Sequence, residues 1–272
     1  MLDDAVLLAA ALTLFAGLAT GLGGAIAFYV KRTNTKFLAI SLSLSAGVMI
    51  YVSLMEIMGK ATEMLVQNLG VKTGNWISVA SFFGGMVFIA VIDKFIPSFE
   101  ERPGAHQTVN EAQDKGQATG NNPKLLRMGL FTALAVAIHN FPEGLITFFS
   151  TLRDPVLGLS IAIAVAIHNI PEGIAVAVPI FYATGSRKQA FFWALLSGIA
   201  EPVGALLGYV LLSSFLNDTV SGVIFAAVAG IMVYISFDQL LPAAREYGDH
   251  HLSVLGLISG MAIMALSLLL FL

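Results

Sequence analysis

The chain has 272 residues, of which 57% are hydrophobic and only 11% charged, and its formal net charge is -3 at pH 7. A soluble domain carries roughly 25% charged residues, so this composition excludes a globular protein with a water-facing surface and indicates a chain folded in lipid. The complete lack of cysteine excludes disulfides, iron–sulfur clusters and thiolate metal sites.

Eight apolar segments follow one another along the chain, and a helix needs roughly 20 such residues to cross a membrane. We therefore predict an all-α integral membrane protein with eight transmembrane helices. One long hydrophilic stretch is rich in Gly, Gln, Asn and charge, which is typical of a flexible loop. It divides a single membrane domain into helices 1–3 (residues 1–97), the loop (98–124) and helices 4–8 (125–272). The predicted spans are 5–30, 37–58, 76–97, 125–150, 156–180, 188–214, 219–241 and 252–272.

The Lys and Arg residues indicate the orientation of the chain, because cytoplasmic loops of membrane proteins carry an excess of them. With the N-terminus outside, only Lys60, Lys72 and Arg153 fall on the outer side, and 11 of the 14 Lys and Arg residues fall on the inner side. An even number of spans then places both termini outside and the loop 98–124 in the cytoplasm.

The fourth and fifth spans carry a repeated motif. Residues 137–144 read AIHNFPEG and residues 166–173 read AIHNIPEG, so seven of eight positions are identical and the copies lie 29 residues apart. Consecutive spans run in opposite directions, and both copies fall near mid-depth. Two like motifs on antiparallel helices imply an approximate two-fold axis in the membrane plane, which is how many transporters build a midplane site.

Each copy presents metal-binding groups along one face of its helix. His139 and Glu143 are four residues apart and share a face, and Asn140 lies on an adjoining strip. The second copy repeats this arrangement. Pro142 and Pro171 have no N–H and clash with the preceding turn. We therefore predict that helices four and five are kinked beside the site, where each releases a backbone carbonyl that needs a partner.

A third carboxylate, Glu201, falls near mid-depth in the sixth span. Carboxylates at the centre of a bilayer are costly and need cations or protons. Imidazole with carboxylate suits Zn²⁺, Fe²⁺, Mn²⁺ or Co²⁺ better than Ca²⁺ or Mg²⁺. A lone His or Glu in a span is as often structural as functional, but duplication at equal depth favours a metal site. The predicted metal-binding residues are His139, Asn140, Glu143, His168, Asn169, Glu172 and Glu201.

The seven residues can be divided between two metal sites. The two imidazoles and the two motif glutamates supply four ligands, enough for tetrahedral Zn²⁺. A second, harder site would use the two asparagines and Glu201, with the motif glutamates bridging. Two dications against three carboxylates leave an excess of positive charge, so the second site should bind more weakly. We expect no catalytic cofactor, because the metal ion is the bound substrate.

At these residues the chain resembles the ZIP (Zrt-, Irt-like protein) family of metal transporters, and most of all its bacterial zinc-uptake branch. The resemblance implies uptake of zinc into the cytoplasm, with Fe, Mn, Co and Cd as further substrates, through a binuclear centre by elevator-like sliding of one helix group past another. It also implies a homodimer in the bacterial inner membrane, with no nucleic-acid partner. The matching stretches are residues 139–144, 168–173, 200–201, 230–233, 238–242 and 53–56.

Two other functions use the same features differently. A membrane-embedded di-metal hydrolase would activate water at the paired metals, although duplicated ligands suit access from both sides better than directional chemistry. A proton- or sodium-coupled exchanger for an organic solute would bind zinc too weakly to compete with magnesium. Outside the motif, Glu56 and Asp238 fit either a pathway role or a structural one.

Overall fold

The computed structural model describes residues 4–26, 35–95, 123–212 and 217–270. Within these ranges, eight helices are long and apolar enough to cross a membrane, and none of the described residues forms a strand. The predicted all-α membrane fold is thereby confirmed. The predicted loop 98–124 lies outside the described residues, except for Pro123 and Lys124, which begin the fourth helix.

The eight helices, α1 to α8, correspond one to one with the eight predicted spans. Two of them, α2 and α7, contain a π-helical stretch between two α-helical parts. The bounds are Asp4–Ile26 (α1), Thr35–Tyr51 with Val52–Ile57 and Met58–Leu69 (α2), Val71–Phe95 (α3), Pro123–Arg153 (α4), Pro155–Thr184 (α5), Arg187–Leu212 (α6), Asp218–Ile235 with Ser236–Leu240 and Leu241–Tyr247 (α7), and His250–Leu270 (α8).

The second helix is longer than its uninterrupted apolar run. The predicted span ended at residue 58, but the helix continues to Leu69 as an amphipathic segment. Ala61, Met64 and Leu65 recur at helical spacing and are buried in this segment. Gly70, whose φ of 79° is readily adopted only by glycine, ends the helix and lets the chain turn into α3.

The helices pack as two groups. The first, which we call the motif group, consists of α1, α4, α5 and α6, and each of these helices packs against the other three. The second, the flanking group, consists of α2, α3, α7 and α8. Contacts between the groups are sparser and run mainly from α2 to α5 and from α4 to α7. Both motif copies and Glu201 therefore belong to one packed unit.

Glycine residues bring the helices of the motif group into backbone contact. A Cβ atom on Gly17 of α1 would lie 2.5 Å from the carbonyl oxygen of Gly198 on α6, and a Cβ on Gly198 would meet the carbonyl oxygen of Gly17. On the other side of α6, a Cβ on Gly204 would meet the carbonyl oxygen of Phe141 on α4. Small residues at crossings allow this close approach in membranes.

Candidate metal centre

The α4–α5 hairpin places the two motif copies side by side. Asp154 caps α5, because its side chain accepts hydrogen bonds from the backbone N–H groups of Val156 at 2.9 Å and Leu157 at 3.2 Å. Pro155 occupies the first turn, where its missing N–H costs nothing. Helix α5 therefore begins directly after α4 ends at Arg153, and the chain reverses within one turn.

The two copies exchange imidazole–carboxylate contacts across this hairpin. His139 Nε2 lies 3.0 Å from Glu172 Oε2, and His168 Nε2 lies 3.3 Å from Glu143 Oε1. All four residues are at most 2% exposed. Each histidine thus contacts the glutamate of the other copy, not the one four residues along its own helix. The two contacts are related as the proposed two-fold axis would relate them.

The motif asparagines attach the centre to α1 and α6. Asn140 Nδ2 donates to the carbonyl oxygen of Ser197 on α6 at 3.1 Å. Asn169 Nδ2 donates to the carbonyl oxygen of Ala16 on α1 at 2.9 Å and also to the carboxylate of Glu201. These contacts hold both amide nitrogens, so the amide oxygens are left as the groups able to bind a cation.

Each of the seven predicted ligand residues has a buried atom with no hydrogen-bond partner among the described residues. Leaving a buried polar atom unpaired costs on the order of 1–3 kcal/mol. A concentration of such atoms in one place is typical of a site that binds an ion or water. The atoms include His139 Nδ1, Asn140 Oδ1, Glu143 Oε2, His168 Nδ1, Asn169 Oδ1, Glu172 Oε1 and Glu201 Oε2.

The centre is acidic and is not balanced by basic side chains. Three carboxylates and two imidazoles are buried together, whereas no Lys or Arg whose side chain the structure describes is buried. A carboxylate at the centre of a membrane costs at least about 2.5 kcal/mol on insertion scales. The centre therefore requires positive charge from a bound cation or from protons.

The donor atoms contact one another and do not surround a common point. Within the described ranges, no three His, Asp or Glu side chains are arranged as a ready-made metal-binding group. One ring nitrogen of each histidine and one oxygen of each motif glutamate take part in the His–Glu contacts. The other ring nitrogens and the other carboxylate oxygens have no hydrogen-bond partner within the described ranges. A metal ion bound through the atoms of the His–Glu contacts would have to displace them, because one lone pair cannot serve two partners.

The glycine that ends each motif copy lets a further helix approach the centre. A Cβ on Gly144 would overlap the carbonyl oxygen of Glu201 on α6, and a Cβ on Gly173 would overlap that of Thr20 on α1. Pro142 and Pro171 lie inside α4 and α5, and each helix continues on both sides of its proline. The kinking of these helices beside the site stays a prediction.

Comparison with known proteins places the chain in a family. A family model described as ZIP zinc transporter matches residues 4–268. The chain belongs to the ZIP family. Proteins named zinc transporter ZupT from Oceanobacillus iheyensis, Nitratidesulfovibrio vulgaris and Clostridium perfringens are 60%, 58% and 56% identical to it. The alignments cover 98%, 100% and 98% of this chain and 99%, 100% and 96% of these relatives.

Membership of the ZIP family separates the classes of function left open by the sequence. The family and the relatives are described as transporters, so the prediction that the protein is not an enzyme is confirmed and the hydrolase alternative is set aside. The eight spans and the bacterial transporter relatives also confirm a multi-pass membrane protein. The seven metal ligands stay a prediction.

Some contacts of this ZIP centre carry no sequence signal. Ser45 on α2 donates from its Oγ to the carbonyl oxygen of His168 at 3.5 Å, which links the flanking group to the motif. Ser45 lies in a run of small and apolar residues without any motif. The carbonyl groups of Ala16 and Ser197 were equally impossible to foresee, since every residue type has one.

The two acidic positions with open roles both lie in π-helical stretches of the flanking group. Glu56 falls within Val52–Ile57 of α2, and Asp238 falls within Ser236–Leu240 of α7. Both side chains are half-buried. A π-helical turn rotates the residues that follow it around the helix axis, and such turns are frequent at functional sites. Nothing in the local sequence predicted either one.

Proposed function

We propose that this ZIP protein transports zinc and similar divalent metal ions across the membrane into the cytoplasm. The observation that carries the proposal is the buried, duplicated His/Asn/Glu centre, whose donor atoms lack partners and whose negative charge lacks a buried Lys or Arg in the part of the chain described. The relatives named zinc transporters support zinc as the substrate. The direction of transport follows the resemblance to the zinc-uptake branch.

The first metal site would form where the His–Glu contacts now lie. His139, Glu143, His168 and Glu172 supply two nitrogen and two carboxylate ligands, which suits a tetrahedral Zn²⁺. The two carboxylates neutralise one dication. The same ligand set also binds Fe²⁺, Mn²⁺ and Co²⁺, and Cd²⁺ as the heavier congener of zinc, so we propose a broad range of divalent substrates.

The second metal site would use the asparagine oxygens and Glu201, with Glu143 and Glu172 bridging the two ions. The hydrogen bond from Asn169 to Glu201 supports this assignment, because it brings residues of α5 and α6 into contact beside the first site. Oxygen ligands of this kind favour harder ions than the first site does. The second ion would also add positive charge, so it should be held more weakly.

Movement of the motif group past the flanking group would give the centre access to both sides of the membrane. All seven ligand residues lie on α4, α5 and α6, so they would move together. The sparse packing between the groups supports this mechanism, since a rigid-body movement then disrupts few contacts. One of the contacts that would break is the hydrogen bond from Ser45 to the carbonyl oxygen of His168.

Zinc uptake into proteoliposomes tests the proposed function. We expect the wild type to accumulate zinc and the Glu143→Ala/Glu172→Ala double variant to fall to the level of protein-free vesicles. Glu63→Ala is the matched control, because Glu63 is a glutamate on the exposed face of α2 and should leave uptake unchanged. A wild type no faster than empty vesicles, or a double variant as fast as the wild type, would refute the proposal.

A further inference from the structure

The two motif copies are alike, but the helix faces that continue from them are not. Four, seven and eight residues after the motif glutamate, α4 carries hydroxyl side chains and α5 carries apolar ones, and all six residues are buried. Because the helices are antiparallel, these faces lead to opposite sides of the membrane. The residues are Thr147, Ser150 and Thr151 on α4, and Val176, Pro179 and Ile180 on α5.

Two of these three hydroxyls on α4 lack a partner within the described ranges. Thr147 Oγ1 and Ser150 Oγ have no hydrogen bond among the residues that the structure describes, although they are 0% and 1% exposed. Thr151 is buried to the same extent but donates to the carbonyl oxygen of Thr147 at 2.7 Å, as a helical hydroxyl usually does. The unpartnered pair therefore indicates a ligand or water at this face.

The unpartnered hydroxyls continue the line of the metal centre. Glu143, Thr147 and Ser150 are four and three residues apart and share one helix face. They span about 10 Å along the axis at 1.5 Å per residue. Glu143 Oε2 is itself unpartnered within the described ranges. The line, which we call the oxygen ladder, runs from the centre toward Arg153, at the end of α4 that the Lys and Arg distribution assigns to the outside.

We propose that the oxygen ladder is the outer access path of the metal ion. Thr147 and Ser150 would each replace part of the water shell of a divalent cation before it reaches Glu143. Hydroxyl oxygens are neutral and hard, so they can bind a passing cation without trapping it, as conduction requires. The apolar face of α5 offers no such ligands on the opposite side. This inference rests on the proposed transport function.

A kinetic experiment separates a path from a structural role. In Thr147→Val/Ser150→Ala we expect the initial rate of zinc uptake into proteoliposomes to fall about tenfold. This is the effect expected when the ion loses one interaction of hydrogen-bond strength at the energy barrier to its entry. Equilibrium zinc affinity in detergent should stay the same. Thr147→Ser, which keeps a hydroxyl at this position, should take up zinc at the wild-type rate when Ser150 is left unchanged. Thr151→Val is the matched control, because its hydroxyl already has a partner.

Each outcome of this experiment has one meaning. If the wild type is active and the double variant takes up zinc at the same rate, the oxygen ladder is not the access path, whereas the proposed transport function is unaffected. An inactive wild type would refute the transport function itself. A loss of equilibrium affinity together with rate would show that the hydroxyls stabilise the centre, which would also refute the ladder.

Thiol labelling tests whether water reaches the oxygen ladder. The chain contains no cysteine, so a single introduced thiol reports on its own position. Thr147 and Val176 occupy the same place in the two copies and are both 0% exposed. An impermeant thiol reagent, which needs water and a thiolate, should label Thr147→Cys in intact cells, and cadmium should slow the reaction. Val176→Cys should stay unlabelled both in intact cells and in broken membranes, where the reagent reaches both sides. Equal labelling of the two, or an unreactive Thr147→Cys, would overturn the proposal.

Discussion

Each of the seven predicted ligand residues is engaged by a residue from another helix. His139 contacts Glu172, His168 contacts Glu143, and Asn169 donates to Glu201. These contacts compensate part of the charge and polarity of the buried centre, and they keep its side chains together. A metal ion bound through the atoms of the His–Glu contacts would have to displace those contacts, which would weaken its net binding.

Protons should compete with zinc at this centre. A histidine binds metal only in its neutral form, so a proton on either imidazole competes with the metal ion. Lowering the pH from about 7 to about 5.5 should therefore lower the zinc affinity, by at most about tenfold per pH unit for each imidazole. Calorimetric titration at a series of pH values measures it. A flat profile would contradict His139 and His168 as ligands.

Glu201→Gln should remove the second metal and keep the first. The substitution preserves the volume and one acceptor oxygen of the side chain but removes its charge. Crystals soaked in zinc or cadmium should show two anomalous peaks for the wild type and one for the variant. Glu172→Gln is the contrasting variant, because the loss of a ligand that bridges the two ions should weaken both sites. Two peaks in Glu201→Gln would show that Glu201 is not a metal ligand.

At the scale of helices, the motif glycines determine how closely the neighbours of the hairpin approach. Gly144 admits the backbone of α6 at Glu201, and Gly173 admits that of α1 at Thr20. One motif position therefore performs the same packing role in both copies, toward two different helices. The ligand faces of α4 and α5 are held in place by these approaches. Asn140 and Asn169 then reach carbonyl groups of the same two neighbours.

Gly173→Ala should lower the thermal stability of the protein. The new Cβ would overlap a backbone carbonyl, which cannot rotate away, and overpacking of this kind costs about 1–3 kcal/mol or more. Gly59→Ala is the control, because a Cβ there has nothing within 4 Å, and alanine favours the helix. Thermal unfolding in detergent should show a lower midpoint for Gly173→Ala only. Equal midpoints would contradict the close approach of α1.

At the scale of the whole molecule, polar contacts at two places of the described ranges join the two helix groups. Besides the hydrogen bond of Ser45 to His168, an ion pair of 2.7 Å links Arg153, at the end of α4, to Asp218, at the start of α7. Both side chains of this pair are exposed, so salt and water screen it. Such a weak contact would offer little resistance to the proposed movement of the groups. A homodimer stays a prediction.

A cross-link between the groups should arrest transport. In the naturally cysteine-free chain, Arg153→Cys/Asp218→Cys joined by a short bifunctional thiol reagent would tie the motif group to the flanking group. Zinc uptake should stop, and it should return when a cleavable reagent is reduced. The control is Thr62→Cys/Ser78→Cys, whose parent hydroxyls are 2.6 Å apart within the flanking group. Full uptake by the cross-linked first pair would contradict sliding of the two groups.

The residue types along the chain were enough to predict the eight spans, the duplicated motif and the membership of a transporter family. These features depend on the length of apolar runs and on the identity of residues a few positions apart, such as His139 and Glu143. Local spacing also predicted which side chains share a helix face. The predicted span ended too early in α2, because beyond residue 58 the continuous apolar run gives way to an amphipathic segment in which Ala61 and Leu65 are buried.

The tertiary structure alone decided which histidine contacts which glutamate, how the helices divide into two groups, and where the irregular turns of α2 and α7 lie. His139 and Glu172 are 33 residues apart, and Asn169 bonds a carbonyl 153 residues away. Contacts over such separations depend on how helices cross, and crossing angles result from packing over many residues at once. The same limit applies to the oxygen ladder, because only packing shows which buried hydroxyls are left without a partner.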